Sequence, residues 1–244
     1  MLDEKNVVVT GANRGIGFET VRCCLKNGAC VFAVVRKATD EVQKKMKSLE
    51  HGDKIKIFEC DFADEESIKK CASEILAQKE PIYGLANIAG VIGSKKGFSM
   101  TSMQEIRNVF DVNFFAPLYF TQRLLKNMIR NKCGSIVNVS SIAAIDGGPG
   151  ELEYCASKAA LIGATKKLSR ELGAFGIRVN SVAPGITGTD MARDMDEKLM
   201  QETLSTSVFK RLATPEEIAE TIVWLLSANS NFITGQTIRV DGGM

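Results

Sequence analysis

In the stretch ELEYCASKAA, residues 151–160, a tyrosine precedes a lysine by four positions. On a helix that spacing sets Tyr154 and Lys158 on one face, with Cβ atoms about 6 Å apart. A free phenol has a pKa of about 10, too high to exchange protons readily near neutrality. A lysine charge about 5 Å away, at an effective dielectric of about 20, favours the phenolate by about 3 kcal/mol, which is worth more than about two pKa units. A tyrosine so placed can protonate a carbonyl being reduced or deprotonate an alcohol being oxidised. The small residues around the pair, Ala156, Ala159, Ala160, Gly163 and Ala164, also suit a helix packed closely on another. Catalysis and packing would use different faces.

A second cluster, Thr10-Gly11-Ala12-Asn13-Arg14-Gly15-Ile16-Gly17, lies between an apolar strand pattern and a helical one. Glycines there permit a tight turn and let backbone N–H groups approach a pyrophosphate at the positive helix N-terminus. A plain loop also tolerates glycines, but the strand-before, helix-after context is the one a dinucleotide site requires. Nineteen residues past Gly17 the second strand ends in Arg36-Lys37, where an NAD site usually offers an acid to the ribose hydroxyls. Arg36, with Arg14 from the turn, instead suits a 2′-phosphate, which arginine grips bidentately. The expected cofactor is therefore NADP(H). Without the glycine motif, Arg36 and Lys37 read as a solvated strand end.

These residues need a frame, and the chain supplies a regular one. NVVVT (6–10), CVFAVV (30–35), KIFEC (56–60), YGLAN (83–87), SIVNVS (135–140), IRVNSVA (177–183) and QTIRV (236–240) read as strands. The first, second and fifth lack polar alternation, as strands covered on both faces do. Residues 16–27, 41–49, 65–78, 104–131, 154–175 and 215–226 read as helices. Thr214, Pro215 and Glu217 form an N-cap, first-turn proline and capping box, while Gly28 and Gly176 fall where left-handed helix ends are wanted. Repeated strand–helix alternation predicts a doubly wound, seven-stranded parallel α/β sheet of the Rossmann type, with helices on both faces. A single domain spanning 1–244 is expected. Residues 186–207 are polar and methionine-dotted, and read as a lid over the strand ends or as a plain surface excursion.

Taken together, TGxxxGxG at 10–17, Asp61, NIAG at 87–90, Asn113, NVSS at 138–141, YCASK at 154–158, PGITGT at 184–189 and FITGQTIRVDGG at 232–243 resemble the short-chain dehydrogenase/reductase family over almost the entire chain. The resemblance implies a catalytic tetrad of Asn113, Ser141, Tyr154 and Lys158. Ser141 polarises the carbonyl, with its neighbour Ser140 as the rival, and Asn113 bends its helix and holds a water that links the lysine to solvent. It further implies that Gly11, Asn13, Arg14, Gly15, Ile16 and Gly17 cradle the cofactor, and that Tyr154 and Lys158 also touch it. Asp61 binds the adenine amine with help from the Phe62 backbone. Asn87 and Gly90 border the adenosine ribose with Ala89 between them. Pro184 and Gly185 lead to Ile186 and Thr189 at the nicotinamide carboxamide. The small-residue helix and the preceding long one are implied as an oligomer interface, in a homotetramer.

Composition narrows the rest. Thirty-one Lys and Arg against 29 Asp and Glu leave a formal charge of +2, too little to recruit nucleic acid or an anionic membrane. Seven cysteines show no CxxC spacing, which fits thiols buried as small hydrophobes in a reducing cytoplasm. His51 is the only histidine and reads as a solvated loop residue, so His-based triads and metal sites are not expected. The N-terminus lacks the basic region of a signal peptide. Within the family, GATKKLSRELGAFGIRVNSVAPG at 163–185 and the terminal ITGQTIRVDGGM are most similar to the 3-oxoacyl-acyl-carrier-protein reductases. That likeness implies reduction of a 3-oxoacyl thioester in fatty acid synthesis. Other small carbonyls (a quinone, sugar or xenobiotic ketone) and a catalytically quiet NADP-binding protein are the alternatives. Lys126, Arg130 and Lys132, placed near the mouth-side end of their helix, suit an acidic carrier protein or a solvated helix end. Phe175 stands where carrier-dependent members often have a basic residue. Met191, Met195 and Met200 suit an adaptable acyl slot, or lid core.

Overall fold

The computed structural model describes residues 1–147, 150–190 and 197–244. Its strands are β1 (Asn6–Thr10), β2 (Cys30–Val35), β3 (Ile55–Glu59), β4 (Ile82–Asn87), β5 (Gly134–Val139), β6 (Ile177–Pro184) and β7 (Thr237–Val240). They pair in parallel as one sheet in the order β3-β2-β1-β4-β5-β6-β7. Every residue of β1, β5 and β6 is buried; β1 and β5 carry no polar alternation, as strands covered on both faces do, while β6 buries Arg178 and Asn180 on hydrogen bonds to the Ser227 and Ile233 carbonyls. β3, at the edge, exposes Lys56 and Glu59.

Helices α1 (Gly15–Lys26), α2 (Asp40–Lys47), α3 (Glu65–Ala77), α4 (Met103–Phe110), α5 (Ala116–Asn131), α6 (Ala143–Asp146), α7 (Leu152–Leu172), α8 (Glu197–Thr206) and α9 (Pro215–Leu226) cover the sheet. On one face Val21 and Leu25 of α1 and Ile218 and Ile222 of α9 share a core with Val7, Val9 and Val137. On the other, Ile68 and Ile75 of α3 and Phe120 and Leu124 of α5 join Val8, Leu85 and Ile136. Chain order reverses between β1 and β4, which opens a crevice at the carboxyl edge of the sheet, where α/β folds bind ligands.

Boundaries follow local chemistry. Thr214 and Glu217 complete a reciprocal capping box with Pro215 in the first turn of α9, and Gly28 and Gly176 adopt φ of +86° and +71°. One expected helix, 104–131, is broken. Between α4 and α5 the chain forms a π turn over Asp111–Phe115. Pro117 has no N–H for the Asn113 carbonyl four residues back, and its ring crowds that oxygen. The wider turn relieves both, and leaves Asn113 fully buried. Helix α8 lies in the polar, methionine-dotted 186–207 stretch, and the three residues after α7, Gly173–Phe175, tighten into a 3₁₀ turn.

Two expectations at the periphery change. Lys126, Arg130 and Lys132 do not stand at the crevice mouth. They close α5 just before β5 begins at Gly134, whereas the crevice lies beyond Val139 at the other end of that strand. A right-handed crossover returns its helix to the amino edge of the sheet, so a helix C-terminus there faces away from the site. Exposed Phe175 precedes β6 on that same far edge. Of the proposed lid, Met191 and Met195 lie outside the described residues, and Met200 falls on α8.

Candidate active site

A cavity of about 340 Å³ opens at the carboxyl edge, lined by Gly90, Ser141, Tyr154, Lys158, Pro184, Gly185, Ile186 and Thr189 among others. β5 ends beneath it and places Ser140 and Ser141 at the rim. Ser140 is buried and donates its hydroxyl to the Lys158 carbonyl at 3.0 Å. Ser141 instead hydrogen-bonds the Tyr154 phenol and accepts the Ala143 N–H at 3.2 Å. Both serines line the cavity, but the Ser140 hydroxyl is spent on the Lys158 carbonyl.

Lys158 follows one turn after Tyr154 on α7, with Nζ 5.9 Å from the centre of the phenol ring. Its ammonium donates to the Val139 carbonyl at 2.8 Å. Burial lowers the lysine to about 8. Burial also pushes the Tyr154 phenol up, against a smaller opposing pull from the Ser141 hydrogen bond. The expected lowering of the phenol by the lysine is therefore reversed. Desolvation of the phenol dominates, and the neighbouring Glu151 and Cys155 push the same way. Asn113 reaches through the π turn to hold Val91 from both sides, accepting its N–H at 2.8 Å and donating to its carbonyl at 2.9 Å. It also donates to Ser157 at 3.1 Å.

The glycine turn precedes α1, the first helix after β1. Gly11 and Gly15 have φ of +66° and +52°, and a side chain on Gly17 would overlap the Gly11 carbonyl. A Cβ on Gly11 would sit 3.1 Å from the Ala89 backbone, so the turn and the loop after β4 touch directly. The Thr10 hydroxyl fixes that loop by accepting the N–H groups of Ile88 and Ala89. Asn13 and Ile16 sit within the turn, and Ile16 reaches the cavity.

Arg14 and Arg36 are exposed beside this turn. Arg14 pairs with Asp190 at 3.2 Å. The Asp61 carboxylate accepts the Ala63 N–H at 2.9 Å, as a strand-end turn former does, and Phe62 packs edge-on to Phe120. The side chain of Asn87, expected at the adenosine ribose, turns inward instead. It donates to Thr121 and Asn138 at 3.1 and 2.8 Å, because the pleat of β4 aims it at the helix layer.

A family model described as "Enoyl-(Acyl carrier protein) reductase" matches residues 11–244. The chain is 34% identical to a 3-oxoacyl-acyl-carrier-protein reductase of Chlamydia muridarum and 35% identical to one of Thermotoga maritima, each match covering 100% of this chain and 98% of the relative. A crystal structure of such a reductase from Brucella melitensis superposes with a TM-score of 0.90 at 30% identity, over 100% of this chain and 92% of that one. A protein described as of the short-chain dehydrogenase/reductase family superposes at 0.87, with 32% identity over 99% and 97%. The chain belongs to the short-chain dehydrogenase/reductase family.

This reductase is accordingly an oxidoreductase, of a family that uses a nicotinamide cofactor. The residues present fit such a group. The turn keeps backbone at three places where a side chain would intrude, and a Cβ on Gly90 would come 3.1 Å from Asn113 Oδ1 and 3.2 Å from Lys158 Nζ. Gly11, Gly15 and Gly17 would meet the pyrophosphate, Gly90 would border the adenosine ribose, and Ile186 and Thr189 would flank the nicotinamide end.

Several site features of the reductase had no signal in the sequence. Asp146 lines the cavity, held by Arg239 through two bonds of 2.8 and 2.7 Å from 93 positions away. Cys155 also lines it and donates its thiol to the Ala143 carbonyl at 2.8 Å. Thr203 brings α8 to the rim. Glu153, next to the tyrosine, is fully buried against Ser94. None of these has a fixed local spacing to its partner. Among the described residues no cluster of His, Cys, Asp and Glu could hold a metal, and no helix is long and apolar enough to cross a membrane.

Proposed function

We propose that this reductase is an NADPH-dependent reductase of 3-oxoacyl thioesters. The observation that carries the reading is the convergence of the Ser141 and Tyr154 hydroxyls on one apolar-walled cavity, above a buried lysine. NADPH, when bound, supplies the hydride. Ser141 and Tyr154 donate hydrogen bonds to the substrate carbonyl oxygen and polarise it. Tyr154 then passes its proton to the oxygen as negative charge develops there. Lys158 holds the resulting phenolate by its charge. Asn113 keeps the Val91 segment, and with it the cavity wall, in place. Isoleucines 92, 142 and 186 give the acyl chain an apolar wall.

Arg36 and Arg14 support the choice of NADPH, since Arg14 in the glycine turn and Arg36 directly after β2 are both exposed and β2 ends without an acid. The named activity of the curated relatives supports the thioester substrate. A carrier protein delivering to this chain's own cavity would not meet Lys126, Arg130 or Lys132, so any such docking uses other surfaces. A homotetramer is part of the same reading, supported by exposed Phe115 at the end of the π turn, exposed Leu152 on α7 and fully exposed Phe232 before β7.

The test is loss of NADPH absorbance with acetoacetyl thioesters of CoA and of acyl carrier protein, with NADH in parallel and Tyr154→Phe as control. Turnover that favours NADPH and falls at least about 10²-fold in Tyr154→Phe is expected. Tight NADPH binding without thioester reduction would turn the search to other small carbonyls. Undiminished turnover in Tyr154→Phe would remove the tyrosine from the chemistry.

A further inference from the structure

Arg14 and Asp190 stand 176 positions apart and meet at 3.2 Å, with side chains 68% and 49% exposed. Arg14 is the N-cap residue of α1, at the point where the glycine turn presents its N–H groups. The turn is tied to β2 by the Ala12 N–H on the Val34 carbonyl at 3.1 Å. Arg14 therefore lies beside the strand that ends at Arg36. Asp190 is brought over from the other side of the crevice by Thr189, whose methyl lies 3.1 Å from a Cβ position on Gly15. Gly188 is anchored in turn through its N–H to the Ala213 carbonyl at 2.9 Å.

One guanidinium thus faces two anions. If Arg14 and Arg36 bind the 2′-phosphate, the reading on which this inference rests, then Arg14 must leave Asp190 or share itself between them. We propose that Asp190 sets cofactor selectivity by competing with the 2′-phosphate of NADP(H) for Arg14. A carboxylate carries one negative charge and the phosphate nearly two at neutral pH, so the phosphate takes the arginine and Asp190 discounts its affinity. NAD(H), without that phosphate, leaves the pair undisturbed. Through linkage, occupation of Arg14 by phosphate loosens the tie between the glycine turn and the 187–190 segment by the same factor that Asp190 weakens phosphate binding.

The discount is small because the pair is exposed, and exposed pairs are weak. Asp190→Asn is expected to tighten NADPH binding about two- to fivefold and leave NADH binding unchanged. Equilibrium fluorescence titration of both nucleotides measures this without turnover, on the wild type, Asp190→Asn, Arg14→Gln and the double variant. In the Arg14→Gln background, Asp190→Asn should have no effect, because the competition runs through the arginine. Equal tightening in both backgrounds would make Asp190 a mere nearby charge and overturn the proposal. So would unchanged NADPH affinity, or an equal gain for NADH. Failure of the underlying reading looks different: the wild type would bind NADH as tightly as NADPH, and Arg14→Gln would not weaken NADPH.

Discussion

Lys158 is charged in a place that disfavours charge. Its pKa of about 8 against an ordinary 10.5 amounts to about 3 kcal/mol of burial cost while the ammonium is held in the fold. The folded pKa is the lower one, so the unfolded chain binds more protons between pH 8 and 10.5, and this residue's contribution to stability rises through that window. The stability of the wild type relative to Lys158→Met should then increase by up to about 3 kcal/mol from pH 7.5 to 10.5, measured by urea unfolding at both pH values. A difference that stays constant with pH would mean the lysine is not held at a lowered pKa. Turnover follows the opposite course. As the ammonium loses its proton above pH 8, the Tyr154 phenolate loses its nearest cation, and the rate of reduction should fall. At this scale the sequence named the pair correctly by position and misjudged its electrostatics. Four-residue spacing is local, whereas desolvation depends on β5, β6 and the segments that close over the pair.

Among the elements, the junction of β1, the glycine turn and α1 tolerates least change. Gly17→Ala would drive a methyl group into the Gly11 carbonyl, and backbone rather than a flexible side chain would have to move. A stability loss of about 1–3 kcal/mol is expected from such overpacking. NADPH binding should weaken at least about tenfold, since on the proposed reading the displaced N–H groups are those that would face the pyrophosphate. Thermal unfolding and fluorescence titration check the two effects separately, and a stable variant with full affinity would refute the tight-turn account. Strands and most helix ends were legible because their signals lie within a few residues: β-branched runs, a capping box at Thr214, a glycine after a last turn. The π turn was not. Pro117 marked a disturbance, but only the reach of Asn113 to Val91 and Ser157 shows why the chain widens there rather than ending a helix.

For the molecule as a whole, the apolar residues left in water at the end of the π turn, on α7 and before β7 point to association. Phe115 is 56% exposed, Leu152 41% and Phe232 entirely, and exposed apolar surface of this kind marks interaction sites when it is contiguous. Sedimentation of the purified protein should give four times the chain mass, and a monomer at micromolar concentration would sink the tetramer. The position of Lys126, Arg130 and Lys132 belongs to this scale too. Helical pattern alone could not tell which end of a crossover meets the crevice, but strand direction in the assembled sheet decides it.

By itself the sequence determined the doubly wound sheet, the tight glycine turn between β1 and α1, the placement of Tyr154 and Lys158 one helical turn apart and the family, because each is written in residues close together along the chain or in a fixed order of motifs. Tertiary structure alone decided that the Ser140 hydroxyl is spent on the Lys158 carbonyl, that Asn87 turns inward, that burial pushes the Tyr154 phenol up, and that Arg14 meets Asp190. Each of these rests on contacts between residues distant in sequence, or on how much water the fold removes from a group. Neither quantity is a property of any short stretch of chain.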